Sequence, residues 1–134
     1  MTPQREEAER FLRLARRDQA AFTALLNASA VVDLAVACFH AQQAAEKALK
    51  AVMCLHGLEY RRTHDLEELA GTLADVGSVP PVGEIELRCL TPYAVEFRYD
   101  DETIHLISGD EAGRLIALLL AWATAEIAKS GDTN

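Results

Sequence analysis

Four polar side chains, His40, Gln43, Lys47 and Lys50, recur at steps of three, four and three. Projected at about 100° per residue, they fall together on one side of a helix. Two ammonium groups, an imidazole and an amide on one stripe suit contact with phosphate or a nucleotide. Lysine gives charge-assisted hydrogen bonds to phosphate oxygens, and histidine titrates near neutrality. Arg61, Arg62 and His64 follow closely and can extend the same basic patch. A plainer reading stands beside this one. The stripe can be a solvated face carrying a Glu46–Lys50 pair at i,i+4. His64-Asp65 can be structural, with the histidine satisfied by a carbonyl and Asp65 capping a helix.

The bulk numbers restrict the ligand. The formal net charge is −8, which argues against a nucleic-acid binder driven by overall charge but leaves a local basic patch open. Cys38, Cys54 and Cys89 show no CxxC or other metal-ligand spacing, so neither a metal nor another cofactor is expected. No signal peptide is visible. The most apolar run, Leu115 to Ala125, falls far short of the ~20 residues a membrane span needs. These features predict a soluble, cytoplasmic protein in a reducing compartment. One domain over residues 1–134, with half the residues hydrophobic, can bury a proper core.

The stripe needs a long helix beneath it. No Pro or Gly interrupts the chain between Ser29 and His56, and Gly57 is placed to end a helix there. Such a helix would be roughly 40 Å long. Its other side carries Leu34, Cys38, Ala41, Ala45, Ala48, Val52 and Leu55, a seam of mostly small residues that lets another helix come close. Cys38 on this seam is expected to be a buried free thiol. Ahead of it, Thr2-Pro3 starts a first helix, with Phe11, Leu14, Ala15, Phe22, Leu25 and Leu26 on its apolar side. Thr63 or Asp65 caps a third, whose apolar line is Leu66, Leu69, Leu73 and Val76. Glu84 to about Arg98 reads as a fourth through Ile85, Leu87, Leu90 and Val95, with a kink or restart at Pro92. Ser108 or Asp110 caps a last helix with Leu115, Leu119, Trp122 and Ile127 inward; Trp122 and Phe39 are expected in the core. Only residues 103–107 are ambiguous between helix and strand. The fold class is therefore all-α, an up-and-down bundle of four to five helices.

Several stretches carry a family likeness. The run Phe39-His40-Ala41-Gln42-Gln43-Ala44-Ala45-Glu46-Lys47-Ala48-Leu49-Lys50-Ala51 resembles the signature helix of HEPN domains. Leu14-Ala15-Arg16-Arg17-Asp18 resembles that family's first helix. Thr63-His64-Asp65-Leu66 resembles its T-H-D-L, and Tyr93 followed by Phe97-Arg98-Tyr99 resembles its aromatic and R-Y. The resemblance covers nearly the whole chain. It implies a helical bundle that forms homodimers in prokaryotic toxin–antitoxin or defence settings, often beside a minimal nucleotidyltransferase partner protein. Some members bind nucleotides or partner proteins.

Many others are metal-independent ribonucleases with Arg, four to six residues, then His; Arg98 and His105, separated by six residues, meet that spacing at its long limit. The chemistry is coherent. A histidine near its pKa can take the proton of a 2′-hydroxyl, and an arginine can stabilise charge on the attacked phosphate of RNA. The chain departs from the active members in having Tyr99 after the arginine instead of a small polar residue. Asp100, Asp101 and Glu102 would also repel a phosphate backbone. A nucleotide- or partner-binding dimer and a ribonuclease both remain open, with Tyr99 and the acidic run favouring the first.

Overall fold

The computed structural model describes residues 2–28, 34–60, 63–94 and 107–132. Helix α1, Pro3–Asn27, starts where Thr2 Oγ1 accepts the Arg5 N–H at 3.1 Å, with Pro3 in the first turn. It buries Ala8, Leu12, Ala15 and Phe22, a narrow line at steps of three and four. Leu26, expected on the apolar side, is exposed instead. Its methyl groups lie against the first residue of the last helix, where a Cβ on Gly109 would come within 2.5 Å of Leu26 Cδ1.

Helix α2, Leu34–Leu55, is the axis of the bundle. It packs most extensively on α1 and next on α5, and it also touches α3 and α4. Its buried residues run well beyond the expected seam and include Ala35, Ala37, Ala44, Leu49, Ala51 and Met53, as well as Gln42 and Glu46. Cys38 is fully buried, as expected, and forms no disulfide. The expected start at Ser29 lies outside the described residues. The end matches expectation. Gly57 is left-handed (φ 66°), its N–H reaches the Cys54 carbonyl at 3.1 Å, and the Leu58 N–H reaches Met53 at 3.0 Å. This is a Schellman cap, and glycine suits its positive φ.

Helix α3, Leu66–Asp75, is capped by Asp65, whose carboxylate accepts from the Glu67 and Glu68 N–H groups. It buries Leu66, Leu69, Ala70 and Leu73. Val76 lies past its last turn and is exposed, because the chain turns away there through a second Schellman cap at Gly77. Helix α4 breaks at the place expected for Pro92, and residues 95–98 of the expected helix lie outside the described residues. It spans Glu84–Leu90 and passes into a 3-10 turn, Thr91–Ala94, in which Pro92 sits. Thr91 ties this junction down by accepting the Leu66 N–H at 3.3 Å and donating to the Leu87 carbonyl at 3.2 Å. Leu87, Leu90 and Tyr93 are buried, whereas Ile85, expected inward, is 75% exposed. Val95 lies outside the described residues.

Helix α5, Gly109–Asp132, is capped by Ser108 rather than Asp110; the Ser108 hydroxyl accepts the Glu111 N–H at 3.1 Å. It buries Leu115, Leu119 and Ile127 as expected, but Trp122, like Phe39 on α2, is only half-buried. The fold is an all-α bundle, and among the described residues there is no strand. None of its helices is long and apolar enough to cross a membrane.

The α1–α2 contact depends on the absence of side-chain bulk. Ala41, Ala45 and Ala48 are fully buried, as are Ala8 and Ala15 on α1. Ala45→Leu would have to push helices apart or adopt a strained rotamer, and such overpacking costs about 1–3 kcal/mol. Urea unfolding should show that loss, while Ile85→Ala should leave the midpoint unchanged.

Candidate functional site

The second helix carries the four polar residues of the stripe, and two carboxylates organise them. The first comes from α1. Asp18 follows Ala15 by three positions and precedes Phe22 by four, so it continues the line that packs on α2. Its Oδ1 lies 3.0 Å from His40 Nδ1, and its Oδ2 accepts from Lys47 Nζ at 2.5 Å. His40 and Lys47 stand two turns apart on α2, and one carboxylate spans both. The Asp18 side chain is 13% exposed and Lys47 25%, so water screens this pair less than an ordinary surface ion pair.

The second carboxylate is Glu46, on α2 itself and nearly buried. A buried carboxylate is costly unless donors surround it. Three donors converge here. Lys50 Nζ approaches at 3.1 Å, Gln42 Nε2 at 3.2 Å and His64 Nδ1 at 2.7 Å. The fully buried Gln42 extends the network: its Nε2 also reaches the His64 carbonyl at 3.2 Å, and its Oε1 accepts from Gln43 Nε2 at 2.7 Å. Residues 63–65, which lead into α3, are thereby fastened to the middle of α2.

Both histidines hold Nδ1 against a carboxylate. In the neutral ring Nδ1–H donates, and Nε2 remains an acceptor. At the lower end Lys50 sits over the Tyr60 ring, 5.0 Å from its centre, and Tyr60 meets Phe11 edge-on at 5.8 Å. Burial raises the Tyr60 phenol above its ordinary value, so this ring stays neutral under Lys50. Burial likewise raises the Cys54 thiol, which makes it a poor nucleophile at neutral pH.

The stripe is therefore neither solvated nor an open row of cations. Lys47 and Lys50 are offset by Asp18 and Glu46, which leaves the described face close to neutral. The expected Glu46–Lys50 pair is present, but within a half-buried network. Asp65 caps α3, and His64 is held by Glu46 through its ring while its carbonyl serves Gln42. His40, Gln43, Lys47, Lys50 and His64 are thus brought onto one network. Arg61, Arg62, Arg98 and His105 lie outside the described residues. Among the described residues no group of three His, Cys, Asp or Glu side chains could hold a metal ion.

Sequence reasoning missed the organising role of Asp18. The signal was present, since an aspartate at a core-facing position between Ala15 and Phe22 requires a partner on the opposing helix.

Removing either carboxylate should destabilise the bundle. Glu46→Ala strips three donors of their acceptor, and breaking a buried pair from one side costs about 3–5 kcal/mol. Asp18→Ala removes charged hydrogen bonds worth about 1.5–3 kcal/mol. Glu7→Ala, which breaks only the exposed Glu7–Arg10 pair, should not move the unfolding midpoint. Chemical denaturation of the three variants checks this order.

Comparison with known proteins agrees with this architecture. The HEPN domain family matches residues 5–120, which takes in nearly all of α1, the whole of α2 to α4 and the first half of α5. No curated protein and no solved structure matches the chain. With the match covering most of the chain and an all-α bundle beneath it, the chain belongs to the HEPN domain family.

Proposed function

We propose that this HEPN-domain chain is the binding component of a two-component module, a toxin–antitoxin pair or a pairing with a minimal nucleotidyltransferase. It acts as a homodimer whose α2 face takes a nucleotide or a partner group. One observation carries this reading. His40, Gln43, Lys47 and Lys50 are held in fixed positions by Asp18, Gln42 and Glu46, while His40, Lys47 and Lys50 keep unused donor or acceptor capacity. Donors that are already positioned lose little entropy on binding. Their near-neutral balance suits a small ligand better than a long polyanion, whose attraction to a chain of net charge −8 would be weak. Arg61 and Arg62, which follow closely in sequence, add two cations suited to a phosphate. Leu26, Val36 and Leu118 leave apolar surface uncovered on α1, α2 and α5, which supports self-association.

The Arg98-x6-His105 spacing in a HEPN-family chain favours a second reading, a metal-independent ribonuclease. Total RNA separates the two. The binding module leaves RNA intact; a ribonuclease cuts it without metal, and Arg98→Ala or His105→Ala stops the cutting.

The binding reading has its own test. Lys47→Gln with Lys50→Gln keeps a hydrogen-bonding group beside each carboxylate but removes both charges. Calorimetric titration with nucleoside triphosphates should show at least tenfold weaker binding, and wild-type affinity should fall with salt. Unchanged affinity in the variant excludes the α2 face. In light scattering the wild type should show twice the 14.7 kDa chain mass.

A further inference from the structure

A second surface lies away from the α2 network. Ala70, Gly71 and Ala74 of α3 form one wall of a groove of about 360 Å³, and Val79 and Val82 of the following loop form the other. Glu84, the first residue of α4, also lines it. Pro80 and Pro81 fix the backbone of the second wall, so the groove is preformed.

Three features of this groove lack an explanation within the chain. Val79, which lines the groove, is 66% exposed, so a large apolar side chain stands open to water there. Gly71 occupies the interior of α3, where glycine weakens a helix relative to alanine. Yet beyond its chain neighbours and the adjoining backbone of its own helix, nothing among the described residues lies within 4 Å of where its Cβ would be. The missing side chain makes room for something outside the chain. Glu84 is the charged residue of the lining; it makes no ion pair among the described residues, and Arg88, one turn beyond it, pairs with Glu67 at 3.0 Å.

We infer that this groove docks a short amphipathic segment of a partner protein, with an apolar side chain over Gly71 and a basic residue facing Glu84. A second copy of this chain fits poorly. Acidic side chains outnumber basic ones 21 to 13 in this chain, so a second copy offers little to pair with Glu84, and the homodimer proposed above uses the apolar surface of α1, α2 and α5 instead. A basic segment gains from that carboxylate. The inference rests on the two-component reading above but uses none of the polar residues of α2.

The test is amide NMR of the isotope-labelled full chain titrated with a synthetic leucine–lysine amphipathic helix. Two control peptides accompany it, one with every leucine changed to serine and one with every lysine changed to glutamate. Shifts should concentrate at Ala70, Gly71, Ala74, Val82 and Gly83 with the first peptide and be absent with both controls. Gly71→Leu fills open space with a better helix former and should keep the fold while weakening binding at least tenfold. Glu84→Gln should weaken binding and flatten its salt dependence. Shifts scattered over other acidic surfaces, full affinity in Gly71→Leu, or no binding at all would overturn the proposal. So would conversion of a dimer to a monomer by Gly71→Leu, which would make the groove a self-interface. Nucleotide titration of the wild-type protein separates the two readings: peptide shifts at the groove without nucleotide binding leave this inference standing and remove the α2 one, and the reverse result does the opposite.

Discussion

The close approach of α1 and α2 is the constraint on which the rest depends. Alanines at 8, 15, 41, 45 and 48 are fully buried, and their small side chains let the two helices meet along much of their length. A helix approached this closely, with α5, α3 and α4 also around it, has little surface left to give to water. Nearly every position of α2 between Ala35 and Met53 is buried or half-buried. Its polar residues therefore cannot rely on solvent and have to be satisfied by the protein. Asp18 and Glu46 follow from that requirement. One carboxylate reaches across from α1 to His40 and Lys47, and the other collects Gln42, Lys50 and His64 from α2 and the connection beyond it.

The two carboxylates also set the topology. Asp18 fixes the rotation of α1 about its axis, because one of its faces has to present a carboxylate to the gap between His40 and Lys47. Glu46 fixes where the chain passes after α2. His64 supplies both a ring nitrogen and a carbonyl to the Glu46–Gln42 pair, and one residue later Asp65 caps α3. The short run Thr63-His64-Asp65 thus works as a clamp and a helix start together. Thr91 completes the arrangement by binding the first N–H of α3, which brings α4 and its 3-10 turn against the same end of the bundle.

Much of this was legible in the residues, because the devices involved are local. Thr2-Pro3, Asp65, Gly57 and Ser108 mark helix ends through chemistry contained within a turn, and each acts as expected. The stripe at 40, 43, 47 and 50 was visible from periodicity. What periodicity could not supply was its surroundings. A helix projection has one inner side and one outer side, but α2 is packed on several sides, so a face opposite the seam need not face water. Ile85 and Val76 were misplaced for the complementary reason. An apolar residue reads as core, yet α4 is two turns long and α3 ends before Val76, so neither has a partner to cover it. The Asp18 contact joins residues 22 and 29 positions apart, a separation that no local pattern encodes.

A neutral network at the centre of the bundle has consequences for any anion that binds it. A phosphate can use the spare N–H groups of Lys47 and Lys50, or it can take the place of the Asp18 carboxylate beside His40 and Lys47. The two modes differ physically. The first leaves α1 and α2 joined and adds a negative charge next to two others, so its strength has to come from cations beyond the network, with Arg17 next to Asp18 and Arg62 two residues before His64 the nearest in sequence. The second satisfies the same donors without increasing local charge, but it releases Asp18 from a position where it is only 13% exposed. A freed aspartate on the core-facing line of α1 has to turn toward water, which changes the α1–α2 contact. Exchange at this site is therefore coupled to helix packing, and addition is not. The placement of Asp18 on α1, rather than on α2 with the residues it holds, is what creates that coupling.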